Sequence, residues 1–124
     1  MNDAQQDGFT LIELLVVIII IGVLAAIAVP IFIHQRDSAR RASEISDLRN
    51  TAILFETYYS DYEAYPATLS ALGPTYHLSP DDSVTLVSVS NSAFCLRVVN
   101  AVTGLARYWQ SDGGGLLGSG LTCT

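Results

Sequence analysis

Residues 8–30 read GFTLIELLVVIIIIGVLAAIAVP, and this stretch decides the fold of the chain. From Leu14 to Ile33 no residue is charged. As a helix these residues span about 30 Å at about 1.5 Å per residue, which matches the hydrocarbon thickness of a bilayer. A chain of 124 residues is too short to enclose a helix that is apolar on every face. The stretch therefore predicts a helix that is covered by a membrane or by other molecules.

Glu13 distinguishes this stretch from a plain membrane anchor. A charged side chain costs about 2.5–3.5 kcal/mol at the centre of a membrane helix, and less near an end, so such residues usually have a partner. Because no Arg or Lys precedes Arg36, we expect the partner to come from another molecule. A cleaved secretory signal is disfavoured although Ala26-Ile27-Ala28 fits an A-x-A site, since MNDAQQDG is acidic where a basic region is expected.

From Gly8 to Pro30 the sequence resembles, residue by residue, the N-terminal signature of type IV pilins and pseudopilins. The resemblance implies a leader of residues 1–8 that a prepilin peptidase removes between Gly8 and Phe9. It also implies methylation of the new Phe9 amine, and storage in the membrane before assembly through residues 9–33.

The resemblance also implies a role for Glu13, which would neutralise the Phe9 amine of a neighbouring subunit in a filament. Because desolvation consumes much of the Coulomb energy, such a pair mainly sets the register of the subunits. Gly22 and Pro30 are expected to break the helix, either as a bend tolerated in lipid or as a segment that extends when subunits pack.

The leader departs from the family pattern because it carries Asp3 and Asp7 and no basic residue. The basic residues Arg36, Arg40 and Arg41 follow the apolar segment, and a positive-inside count would place the C-terminal part in the cytoplasm. We give the long motif more weight and expect the C-terminal part outside the cytoplasmic membrane. An alternative origin of the short acidic leader is that Met1 is an internal methionine of a longer one.

The remaining residues, 34–124, predict a globular head of α+β class, in which the long helix packs on a small antiparallel sheet. Apolar residues at spacings of three and four predict an amphipathic helix over 34–60, so that one helix runs for about 75 Å. The stripe consists of Ala39, Ala42, Ile45, Leu48, Ala52, Phe55 and Tyr59. Two surface ion pairs four residues apart are expected, Asp37–Arg41 and Arg40–Glu44.

A loop over 61–82 follows, with Pro66, Gly73 and Pro74 as helix breakers and a helical turn near Leu69–Leu72. Its tyrosines and proline resemble the loop after the long helix of many pilins. The region 83–124 contains three segments with strand character, SVTLVSVS, AFCLRVVN and LARYWQS, which predict a three-stranded antiparallel meander. The tail GGGLLGSGLTC is expected to lack regular structure because of its glycines.

Cys95 and Cys123 are free thiols in a reducing compartment and a disulfide in an exported domain. The export that the resemblance implies therefore predicts the Cys95–Cys123 bond, which closes a C-terminal region often exposed on filaments. All basic residues are arginine. The absence of lysine argues against a sortase-assembled pilin, and the net charge of −6 without a basic stripe argues against direct nucleic-acid binding.

No catalytic or metal constellation is evident, so we expect neither an enzyme nor a cofactor. His34 and His77 have no ligand partners at a recognisable spacing. Asp81, Asp82 and Asp112 are considered for calcium, which some pseudopilins bind, but their spacing fits no known motif. The aromatic run of Phe55, Tyr58, Tyr59, Tyr62 and Tyr65 is expected to pack the helix end, and an electron path along a filament is a minor alternative.

These features lead to one main prediction and two alternatives for function. The chain is expected to be a type IV pilus subunit that forms a homo-oligomeric surface filament for adhesion, motility or DNA uptake, with prepilin peptidase and a pilus assembly machinery as partners. The first alternative is a pseudopilin of a type II secretion or competence apparatus. The second is a membrane-anchored monomeric enzyme or binding module.

Overall fold

The computed structural model describes residues 7–124 and divides them into two units, one that ends at Arg36 and one of Asp37–Thr124. Most of the predicted leader, 1–8, lies outside the described residues. The elements are a helix α1 (Leu11–Tyr62), a 3₁₀ turn (Leu69–Leu72) and four strands. The strands are β1 (Asp82–Val89), β2 (Phe94–Asn100), β3 (Ala106–Gln110) and β4 (Gly115–Leu116). The predicted α+β class is confirmed.

Helix α1 is continuous through Gly22 and Pro30, so the expected helix break is absent from the described chain. Proline removes one backbone hydrogen bond, but a long helix tolerates this loss when the residues on both sides favour helix. The break therefore remains a prediction for the assembled state. The helix ends at Tyr62 because Glu63 adopts a left-handed conformation with φ of 54° and its N–H bonds the carbonyl of Tyr59.

The four strands form one antiparallel sheet in the order β1-β2-β3-β4. The prediction of three strands was wrong in number, since Gly115 and Leu116 of the glycine-rich tail pair with Gln110 and Trp109. Gly115 has a φ of 95°, and a Cβ at this position would lie 3.2 Å from the Trp109 ring. The tail can therefore join the sheet because glycine allows a close approach to Trp109, rather than in spite of its glycines.

The core of the second unit lies between α1 and one face of the sheet. Leu48, Ala52 and Phe55 of α1 are buried against apolar residues of β1 and β2. The strands contribute Val84, Phe94, Leu96 and Val98. The predicted stripe is thus correct in its centre, whereas Ala39, Ala42 and Tyr59 are exposed.

Aromatic rings close one end of this core. The Phe94 ring lies 4.7 Å from Phe55 and 4.9 Å from Tyr65, and Tyr65 lies 4.7 Å from Tyr59, centre to centre. The aromatic run therefore joins the helix end, the loop and β2, which is the packing role expected from the sequence.

Candidate assembly site and its supports

The N-terminal site begins in an exposed irregular stretch. Residues 7–10 belong to no helix or strand, and Phe9 is 85% exposed. A Cβ added at Gly8 would meet no atom within 4 Å, so glycine at this position is not required by packing of the described chain. The Gly8–Phe9 bond is therefore accessible to a peptidase.

Glu13 forms a reciprocal pair of hydrogen bonds with Thr10 at the start of α1. The Thr10 N–H donates to Oε2 of Glu13 at 2.9 Å, and the Glu13 N–H donates to Oγ1 of Thr10 at 3.3 Å. This is a capping box, which satisfies two N–H groups that the first helical turn leaves unpaired. The Thr-x-x-Glu pattern is the sequence signal for this box, whereas the family resemblance implies only a pairing of Glu13 with a neighbouring subunit and no role for Thr10.

The capping box leaves half of the Glu13 carboxylate available. Only Oε2 accepts a bond, and Oε1 has no hydrogen-bond partner among residues 7–124. Phe9 and Glu13 are not bonded to each other within the described chain, which is consistent with a pairing between subunits but does not test it. The free oxygen can accept from an ammonium group without loss of the cap.

The apolar part of the first unit has no cover of its own. Every residue from 14 to 36 is exposed, and this part of α1 is long and apolar enough to cross a membrane. At its end, the Arg36 guanidinium lies over the ring of Phe32, 5.9 Å from the ring centre, which is a cation–π contact. This surface needs a bilayer or other molecules around it.

In the second unit a polar cluster joins α1 to the sheet. The completely buried Glu44 carboxylate accepts from Nε of Arg107 at 3.0 Å and from Oγ1 of Thr103 at 3.3 Å. The expected Arg40–Glu44 and Asp37–Arg41 pairs were wrong, since Arg40 instead pairs with Asp37 at 3.3 Å. Sequence reasoning treated Glu44 as a surface residue because an (i, i+4) neighbour of opposite charge was available.

Two aspartates extend this cluster toward β1. Asp47, 5% exposed, accepts from the N–H and Oγ of Ser79, at 2.9 and 3.1 Å. Asp82 accepts from Oγ of Ser43 at 2.8 Å and Nδ2 of Asn100 at 2.6 Å. Burial raises the pKa of Asp47 above its usual value, and the neighbouring Asp82 carboxylate adds to the increase while bonds from Ser79 oppose it.

Two tyrosines of the second unit, Tyr65 and Tyr76, also have raised pKa values. Desolvation, followed by the Glu56 carboxylate, raises the pKa of Tyr65, whose hydroxyl lies 3.2 Å from both oxygens of Glu56. Desolvation also raises the pKa of Tyr76. No three His, Cys, Asp or Glu side chains converge as metal ligands in the part of the chain that the structure describes.

The predicted disulfide is present between Cys95 and Cys123, with Cα atoms 6.3 Å apart. It connects β2 to the segment that follows β4.

The side chains of His34 and His77 are both exposed and form no hydrogen bond among the described residues.

Comparison with known proteins agrees with this arrangement. The profile of the "Prokaryotic N-terminal methylation motif" matches residues 3–29, which include the predicted cleavage junction, the capping box and most of the apolar segment. The N-terminal part of the chain therefore carries the methylation motif of this family model. This confirms the resemblance drawn from Gly8 to Pro30.

The similar proteins described next share one name, type II secretion system core protein G. It is 40% identical over 72 residues to the type II secretion system core protein G of Pseudomonas aeruginosa, covering 58% of this chain and 51% of the relative. Core protein G of Pectobacterium carotovorum subsp. carotovorum is 38% identical over 68 residues, with 55% and 44% covered. Core protein G of Escherichia coli K12 is 38% identical over 68 residues, with 55% and 47% covered. The chain thus spans about half the length of the curated relatives it matches.

Proposed function

We propose that this chain is a pseudopilin, a subunit of a short filament that serves type II secretion. The observation that carries the proposal is the relation to core protein G of several species, which extends beyond the methylation motif to 72 residues. This reverses the order of our two leading expectations, because the relatives bear the name of the secretion system and not of a pilus.

The exposure of Gly8 and Phe9 and the match to the methylation motif support two processing steps at the N-terminus. A prepilin peptidase removes the leader between Gly8 and Phe9 and methylates the Phe9 amine. Cleavage thus creates a positively charged amine on Phe9, directly before the apolar helix. Oε1 of Glu13 on a neighbouring subunit, which lacks a partner in the described chain, accepts from it.

Assembly covers the apolar surface of residues 14–33, which is exposed in the isolated chain. Before assembly the bilayer provides this cover, and in the filament the helices of other subunits do so. Pro30 lacks an N–H, so the carbonyl of Ala26 has no helical partner, and we expect the segment from Gly22 to Pro30 to extend when subunits pack. The disulfide supports a location of the head on the oxidising side of the membrane.

Deletion and complementation in the source bacterium test the proposal. Loss of the gene should abolish the release of secreted enzymes into the medium, and the full chain should restore it. Sheared cell surfaces should contain little of this protein. If enzyme release is unchanged by the deletion, the secretion role is wrong.

A type IV pilus subunit is the second candidate, and the disulfide-closed tail favours it because such a tail is expected on an exposed filament surface. In that case sheared material from the same strains consists of long filaments with this chain as the main component, and enzyme release does not depend on it. A chain that keeps residues 1–8 and forms no filament would instead be a membrane-anchored module.

A further inference from the structure

The two sulfurs of the disulfide lie in different surroundings. Cys95 is 2% exposed within β2, where its neighbours Phe94 and Leu96 are also buried. Its backbone is paired with Ser88 of β1 on one side and with Gln110 of β3 on the other. Cys123 is partly exposed, and it follows a segment, 118–122, in which every residue is exposed.

The cavity beside Cys95 is small. It has a volume of about 180 Å³ and is lined by Ser88, Gln110, Asp112 and Thr124 among others. An attacking thiolate has to approach along the axis of the sulfur–sulfur bond, so reaction rates depend on which sulfur is accessible. Because Cys95 is only 2% exposed, an attacking thiolate has little access to its sulfur, and the Asp112 carboxylate that lines the cavity disfavours an anionic attacker.

The segment that carries Cys123 is held by few bonds. Beyond β4, the N–H of Leu117 bonds the carbonyl of Tyr108 at 2.9 Å, and the N–H of Leu121 bonds Gly118 at 3.1 Å. Two contacts of 3.5 Å connect Thr124 to the Gln110 side chain. Such a segment can leave the surface and enter the groove of a partner as an extended peptide, whereas the central residues of β2 cannot leave the sheet.

We propose that Cys123 is the exchange cysteine of this chain, the sulfur at which an external thiol–disulfide partner reacts. Cys95 is the resolving cysteine and reacts only with Cys123. The partner is a protein or small molecule that carries an oxidising disulfide. This inference rests on the disulfide and its surroundings, not on the proposed function in secretion.

The reaction balances as two exchanges. In the reduced chain the Cys123 thiolate attacks the disulfide of the partner, a bond forms between Cys123 Sγ and one partner sulfur, and the other partner sulfur leaves as a thiolate. The Cys95 thiolate then attacks Cys123 Sγ, which forms the Cys95–Cys123 bond and releases the second partner thiolate. The chain loses two electrons and two protons, the electrons reduce the partner disulfide, and reduction follows the same path in reverse.

The first experiment uses the oxidised full chain in detergent with reduced glutathione as the attacking thiol. Brief exposure followed by alkylation traps the mixed disulfide, and peptide mass spectrometry locates the glutathione. We expect it on Cys123, with a free, alkylated Cys95. Glutathione found mainly on Cys95 would overturn the assignment, and this measurement requires no variant to fold.

The second experiment compares Cys95→Ser with Cys123→Ser, each of which leaves one thiol in the full chain. With glutathione disulfide, the folded Cys95→Ser chain should form its adduct about tenfold or more faster than the folded Cys123→Ser chain, because the remaining Cys123 thiol is the more accessible of the two. The same two chains in strong denaturant are the matched control, and their rates should become similar. Equal rates in the folded state would contradict the proposal.

The same variants identify the source of the oxidant in cells. Isolated from the bacterial envelope without reductant, Cys95→Ser should carry a reducible adduct and Cys123→Ser should not. A shift by the mass of a small thiol indicates a soluble oxidant, and a shift by the mass of a protein indicates an exchange protein. An adduct confined to Cys123→Ser would reject the proposed order.

Discussion

The buried carboxylate of Glu44 on α1 accepts a hydrogen bond from Nε of Arg107 on β3 at 3.0 Å. The pair joins the helix to the sheet across a sequence separation of 63 residues. Because Glu44 is fully buried while Arg107 retains 20% of its side-chain exposure, removal of the acid leaves a mostly desolvated guanidinium without a counter-charge.

The first prediction follows from this pair. Glu44→Ala should lower the free energy of unfolding of the head by about 3 kcal/mol, the lower end of the range for breaking a buried pair. Asp37→Ala, which removes the partly exposed Arg40–Asp37 pair, is the matched control and should cost about 0.5 kcal/mol or less. Urea unfolding of the full chain in detergent, followed by Trp109 fluorescence, measures both. Equal effects of the two substitutions would show that the buried pair is not a special support.

The second prediction concerns Asp47 and pH. Since burial and Asp82 raise its pKa in the folded state, the stability that Asp47 contributes is complete below the unfolded-state pKa and is lost as pH rises through the folded-state pKa. Asp47→Asn should remove this dependence, because the amide oxygen can still accept from Ser79 and the amide nitrogen can donate to Asp82. Unfolding midpoints measured from acidic to neutral pH should fall for the unsubstituted chain and change less for the variant. The exposed Asp112→Asn is the control, and an unchanged pH slope in Asp47→Asn would show that another group is responsible.

The third prediction separates the two uses of Glu13. Glu13→Ala should be inserted and cleaved, but its Phe9 amine would enter the filament uncompensated at about 3–5 kcal/mol per subunit, a 10²–10³-fold penalty on each addition. Thr10→Val should lose part of the cap, about 1 kcal/mol of helix stability, while the carboxylate remains. Counting assembled filaments with each variant as the only copy measures this difference. Normal assembly of Glu13→Ala would reject the pairing between subunits.

The fourth prediction is that Gly8 is required for processing and not for folding. A Cβ at Gly8 meets no atom within 4 Å and Gly8 is exposed, so Gly8→Phe should leave the folding of the head unchanged. The peptidase should nevertheless fail to cut, and the intact mass should retain residues 1–8. Gly22→Ala, which is also free of contacts, is the control and should be cleaved. Filaments whose subunits still carry the leader would contradict the prediction.

The fifth prediction is that the disulfide orders the tail more than the core. Cys123→Ser should cost about 2–4 kcal/mol of stability, the usual value for a natural bond. Amide hydrogen exchange should become faster after Leu117, where few hydrogen bonds hold the chain, and should change little in α1 between Leu48 and Phe55. Uniformly faster exchange across both regions would indicate that the bond supports the whole head.

The features that depend on a local pattern of residues could be predicted from the sequence without the structure. The uncharged run from Leu14 to Ile33 predicts a helix covered by a membrane or by other molecules. The strand character of β1, β2 and β3 was recognisable from their apolar and aromatic residues, although β2 is buried at nearly every position and β3 is half-buried throughout. The Gly8–Phe9 junction and Cys95–Cys123 followed from a resemblance and not from physics.

Contacts between residues that are far apart in the sequence could be learned only from the tertiary structure. Glu44 had a suitable partner four residues away in Arg40, but the sheet brings Arg107 to it, and burial strengthens that bond relative to a solvated surface pair. The strand at Gly115 and Leu116 exists because Trp109 of β3 offers a flat surface that only glycine can approach so closely. A local sequence pattern does not specify which distant side chain will lie beside a given residue in the fold. Both of these contacts are between such distant residues, so the pattern could not predict them.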